Sequence, residues 1–130
     1  MKPEGIVDMT RCLLIGEDST ECRRLQQLLA GLGLDTAHAR QPEEALKYCN
    51  DNSPEVVMLA AAGAGTGPKD FVRHLRRNVH GRKAVVFLYA ETPDTEMFGQ
   101  WILQGAADVL MNPLDRDILQ FKLRQAGVIA

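Results

Sequence analysis

No apolar run in this chain approaches the ~18 residues a helix needs to cross a bilayer, so a transmembrane helix is not expected. The first ten residues, Met1–Thr10, are polar and mixed in charge, without the apolar stretch of a secretory signal. Cysteine is too sparse for a disulfide framework. Cys12, Cys22 and Cys49 are odd in number and lack Cys-x-x-Cys spacing, which fits free thiols in a reducing cytoplasm. Charge of one sign is lacking too: 15 Lys+Arg against 17 Asp+Glu leave a formal net charge of −2. Bulk electrostatics therefore makes no case for nucleic acid or an anionic membrane as partner. Internal repeats, linkers and low-complexity stretches are missing, apart from a small-residue loop over Ala60–Gly67. What remains is 130 residues, 45% hydrophobic and 25% charged, the balance of one soluble domain with a core that needs no staples. Residues 1–10 read as an N-terminal tail and 11–130 as the domain.

Two patterns alternate along the domain. Short apolar runs, Cys12-Leu13-Leu14-Ile15, Val56-Val57-Met58-Leu59 and Ala84-Val85-Val86-Phe87-Leu88, are too brief for helices and suit strands buried on both faces. Weaker runs at Asp35–His38 and Val109–Met111 suit edge strands. Between them lie amphipathic helices. Asp18 followed by Glu21 resembles a capping box ahead of a Leu25, Leu28, Leu29, Leu32 stripe, and Gly33 stops that helix. Pro42 stands at a first helical position, before Glu43, Glu44, Ala45, Leu46 and Cys49. A third helix runs from about Pro68 to Asn78 with Phe71, Val72 and Leu75 inward. Thr92-Pro93-Asp94 starts a fourth, ending near Gly105, and Asp115 caps a fifth carrying Leu119 and Leu123. Alternation of this kind predicts an α/β, doubly wound (βα)5 fold with a parallel five-stranded sheet. Sites in such sheets lie outside the carboxyl ends of the strands: Gly16-Glu17-Asp18, Ala60-Ala61-Ala62, Tyr89-Ala90 and Asn112-Pro113.

These residues resemble the receiver domain of two-component response regulators, from about Arg11 to Ala126. The likeness rests on Leu13-Leu14-Ile15 before an acidic turn, Gly33, Glu43-Glu44-Ala45-Leu46, and Ser53-Pro54-Glu55-Val56-Val57-Met58-Leu59. It continues in Gly105-Ala106-Ala107-Asp108-Val109-Leu110 and Pro113-Leu114-Asp115. It implies a flavodoxin/CheY-like sheet of order 2-1-3-4-5. It also implies a site in which one aspartate accepts a phosphoryl group while Mg²⁺, an acidic pair, a lysine and a hydroxyl manage the charge.

At those positions the chain departs from the pattern. Ala60 stands at the phosphoacceptor position, Gly16-Glu17 at the acidic pair, Tyr89 at the hydroxyl and Asn112 at the lysine. The changes are mutually consistent: without the aspartate a buried lysine would lack its counter-charge, and Asn112 removes that charge. Gly16 relieves crowding of carboxylates, and Tyr89 can fill the vacated space. Glu17 and Asp18 are weak cation candidates, set against a simpler role at a helix N-terminus. The expectation is therefore a degenerate pseudo-receiver with no catalytic residues, no metal and no cofactor. Val109, where receivers usually carry a switching aromatic, implies that the usual relay is absent.

Other features bear on partners. Arg73, Arg76, Arg77, Arg82 and Lys83, with His74 and His80, form a candidate anion-binding cluster whose plainer reading is a solvated helix end. The loop from Gly63 to Lys69 has the context of a phosphate cradle but not the spacing of one. In the fourth helix Met97, Phe98, Trp101, Ile102 and Leu103 spread too widely for one buried stripe. With Trp101 and Leu103 toward the sheet, Phe98 and Ile102 face outward, and Ile118 and Phe121 lie off the stripe of the fifth helix. Receivers use this face for dimers and partners. The resemblance, with these departures from it, thus implies a phosphorylation-independent interaction or dimerisation module in bacterial signalling, not an enzyme. The alternative is a nucleotide or cyclic-dinucleotide sensor on the same fold.

Overall fold

Each apolar run forms a strand. The computed structural model describes residues 10–60, 68–77, 84–90, 99, 102–103, 106–111 and 114–129. In order they are β1 (Arg11–Ile15), α1 (Thr20–Gly31), β2 (Asp35–Ala39), α2 (Pro42–Asn52), β3 (Val56–Ala60), α3 (Pro68–Arg77), β4 (Val85–Ala90), β5 (Asp108–Met111) and a last helix, α4 (Arg116–Gln125). The strands form one parallel sheet in the order β2-β1-β3-β4-β5, as expected, with the two weaker runs at its edges. The start and most of the body of the expected fourth helix lie outside the described residues, but Gly99, Ile102 and Leu103 are helical. The tail before Thr10 is also outside them. No helix among the described residues is long and apolar enough to cross a membrane.

Period-2 alternation in the strands splits the core into two layers. Leu13, Ile15, Val57, Leu59, Val86 and Leu88 face one side, where Ala45 and Cys49 of α2 and Val72 and Leu75 of α3 cover them. Cys12, Leu14, Val56, Met58 and Phe87 face the other, covered by Cys22, Leu25 and Leu29 of α1 and by Leu119 and Leu123 of α4. All three thiols are free and buried. Burial pushes the Cys12 thiol up to about 12 and the Cys49 thiol up to about 11, as expected for small core hydrophobes.

Local signals close the helices. At the end of α1, Gly33 takes a left-handed φ of 88°, its N–H donates to Ala30 O and that of Leu34 to Leu29 O. Leu29 and Leu34 then pack in one cluster, completing a Schellman end. Asp115 caps α4 as the sequence predicts, its Oδ1 accepting from the Ile118 amide at 2.8 Å. Two expectations need correction. The cap of α1 is Ser19, whose Oγ accepts from the Cys22 amide at 3.1 Å, not Asp18, whose carboxylate has arginine partners instead. Leu103 does not cover the sheet: it is 88% exposed. In the sequence, apolar residues take up too much of that segment's circumference for their spacing alone to fix its phase.

Candidate functional site

The strand register sets one row of residues across the carboxyl ends of the sheet. Ile15 pairs with Leu59, placing Gly16 beside Ala60; Ala60 pairs with Tyr89, and Tyr89 with Leu110. By alternation these four face the layer covered by α1 and α4. This is the row on which receiver-type chemistry would be built, and it contains no carboxylate.

Gly16 is buried and approaches Ala60 so closely that a Cβ on it would stand 2.7 Å from the Ala60 Cβ, a separation real side chains essentially never show. Neither partner can swing aside, because one is backbone and the other a methyl fixed to a strand. Relief of carboxylate crowding is thus not needed to account for glycine here. Simple contact with Ala60 is sufficient.

The turn that follows is tied to edge strand β2. The Gly16 N–H donates to Ala39 O at 3.0 Å, and His38 Nε2 lies 2.7 Å from Gly16 O. That second distance requires Nε2 to carry a proton and donate it to the carbonyl. The same nitrogen is 3.5 Å from Cys22 Sγ but has no lone pair left to act as base. Burial moreover raises the Cys22 thiol, so the pair is not an activated nucleophile.

Glu17 and Asp18 are exposed at the mouth of an open depression that Arg40 and Gln41 also line. Asp18 Oδ1 lies 3.1 Å from Arg23 Nε, and its Oδ2 3.9 Å from Arg40 Nη2. Magnesium needs several hard oxygen donors in octahedral array. Here one carboxylate faces two guanidinium groups, Ala60 offers a methyl, and a side chain at position 16 would collide with it. These residues do not fit the ion that receiver chemistry uses. No group of three or more His, Cys, Asp or Glu suited to a metal occurs among the described residues.

Tyr89 is 7% exposed and packs in the cluster that includes Phe87, Leu110 and Leu114. Asn112 lies outside the described residues. Val109 packs partly buried against the layer beneath α2 and α3. Of the candidate anion cluster, Arg73 and Arg77 are exposed, while Arg76 Nη1 donates to Ala84 O at 2.6 Å. Arg82, Lys83, His80 and the loop 61–67 lie outside the described residues. Sequence reasoning missed His38, Arg23 and Arg40 as residues that hold the turn. The order 2-1-3, which sets the end of β2 beside that of β1, was the available clue.

The exposed large hydrophobics among the described residues all follow β4: Ile102 at 46%, Leu103 at 88%, Met111 at 36%, Ile118 at 44% and Phe121 at 64%. Phe98 lies outside the described residues. The outward positions expected for Ile102, Ile118 and Phe121 are those observed.

No protein-family model and no curated protein matches this chain. Solved structures do. The chemotaxis response regulator CheY4 of Vibrio cholerae superposes with a TM-score of 0.79 at 19% identity, over 94% of this chain and 100% of that one. The signal receiver domain of an HD domain-containing protein from Pseudomonas fluorescens gives 0.79 at 24% identity, over 92% and 94%. A CheY-like receiver domain protein from Methanospirillum hungatei gives 0.79 at 13%, over 92% and 94%. At these identities the likeness concerns architecture. The chain has the fold of CheY-like response-regulator receiver domains.

Proposed function

We propose that this chain is a phosphorylation-independent pseudo-receiver: a non-enzymatic, cytoplasmic module of bacterial signal transduction that binds protein partners, itself included. The observation that carries this reading is the contact of Gly16 with Ala60. A receiver-type phosphoryl transfer needs an oxygen nucleophile at the end of β3 and a metal beside it. The chain supplies a methyl there, and glycine where an acidic side chain would stand. Incubation with a small phosphodonor and Mg²⁺ is expected to leave the intact mass unchanged in mass spectrometry. A phosphate adduct would overturn the assignment.

The proposed partner surface is α4 and the segment before β5, a reading supported by their exposed apolar side chains. Ile118 and Phe121 are three residues apart on one helix and so share a face. Changing both to Glu should dissociate any oligomer in sedimentation velocity while the circular dichroism stays native. An unaltered sedimentation coefficient for an oligomeric protein removes α4 from the interface.

A further inference from the structure

Among the described residues, strand β5 ends the sheet and pairs only with β4. Such an edge normally presents free N–H and C=O groups on which another strand can add. At Val109 both groups are already taken by side chains. Its N–H donates to Asp108 Oδ1 at 2.7 Å, and its carbonyl accepts from Lys122 Nζ at 3.2 Å. Lys122 Nζ also donates to Asp108 Oδ2 at 2.8 Å, which closes a ring of strand amide, carboxylate, ammonium and strand carbonyl. The ammonium reaches the strand from α4, one turn from Ile118 and beside Phe121. The pair is partly shielded, its side chains 24% and 38% exposed, so its geometry is firmer than that of a surface ion pair.

We infer that Asp108 and Lys122 form an edge guard that closes the β5 side of the sheet to strand addition. An open sheet edge next to exposed Ile118, Phe121 and Met111 would favour indiscriminate pairing and aggregation. With the edge closed, the apolar face on α4 admits a folded partner that docks through side chains and excludes an extended peptide that would bind by its backbone. This choice of partner rests on the interaction role proposed for α4. The guard itself does not.

The test uses Lys122→Met, which keeps length and helix propensity, and Asp108→Ala, with Lys122→Arg as the conservative variant. Lys122→Met and Asp108→Ala are expected to gain an intermolecular β band in the infrared amide I region and thioflavin-T-positive assembly, while native near-ultraviolet dichroism persists in the soluble fraction. Lys122→Arg should behave as wild type. Asp108→Ala should also speed amide exchange at Val109 by about 2–10-fold, the loss of one hydrogen bond, with Leu110 still protected. Both variants are repeated with Ile118→Glu and Phe121→Glu present. Strand-mediated assembly that survives there supports the guard even if α4 proves not to be an interface. Folded Lys122→Met and Asp108→Ala with no intermolecular β signal, or Val109 exchange unchanged, would overturn it.

Discussion

Gly16→Asp, which places an acidic side chain beside Glu17, is expected to destabilise the fold by about 3 kcal/mol or more and to gain no magnesium-dependent stability. The cost has two sources. A Cβ at position 16 meets the Ala60 Cβ at 2.7 Å, and overpacking a rigid site costs about 1–3 kcal/mol. A carboxylate added at that buried position also loses water. Gly16→Ala isolates the steric part. Because the collision is with one methyl, Ala60→Gly should relieve it, so that the double variant is more stable than the sum of the singles predicts, by about 1 kcal/mol or more. Urea unfolding monitored by dichroism measures the four variants and the wild type. Additive losses, or a Gly16→Asp protein as stable as wild type, would show that the two strand ends are not in contact.

Phe87→Ala is expected to cost about 3–5 kcal/mol, a large part of the ~5–15 kcal/mol by which domains are stable. Phe87 is 1% exposed on β4 and shares its layer with Met58, Leu110, Leu119 and Leu123. Removing its ring leaves a cavity beneath α4, the helix that carries Ile118 and Phe121. Phe121→Ala is the matched control: at 64% exposure the same truncation should move the urea midpoint little, within about 0.5 kcal/mol. A comparable loss from both would mean that Phe121 is part of the core and the outer face of α4 is misplaced.

The fold was legible because the physics that sets it is local. Cys12–Ile15 and Val56–Leu59 are continuous apolar runs of strand length, Pro42 and Asp115 punctuate helices where the chain must turn, and Gly33 takes the left-handed φ that ends α1. That Ala60 and Tyr89 stand side by side at the ends of β3 and β4 was legible for the same reason, since residue types stand in the sequence. What the sequence concealed was contact across the sheet. Asp18 and Ser19 are both good caps; Ser19 is the one used, while Asp18 faces Arg23 of α1 and Arg40, and the approach of Arg40 exists only once β2 lies beside β1. The Gly16–Ala60 approach, the His38 bond to the Gly16 carbonyl and the Asp108–Lys122 ring likewise join residues distant in the chain. Leu103 was misplaced because a segment with apolar residues all round has no readable phase.

The sheet also sorts the native thiols. Cys49 lies in the layer under α2 and α3, Cys12 and Cys22 in the layer under α1 and α4. Only a thiolate attacks an alkylating reagent, and burial holds each of these thiols protonated and out of reach until its own side opens. The molecule therefore carries a chemical clock on each side of its central wall, and the order in which those clocks start tells which half of the domain breathes first.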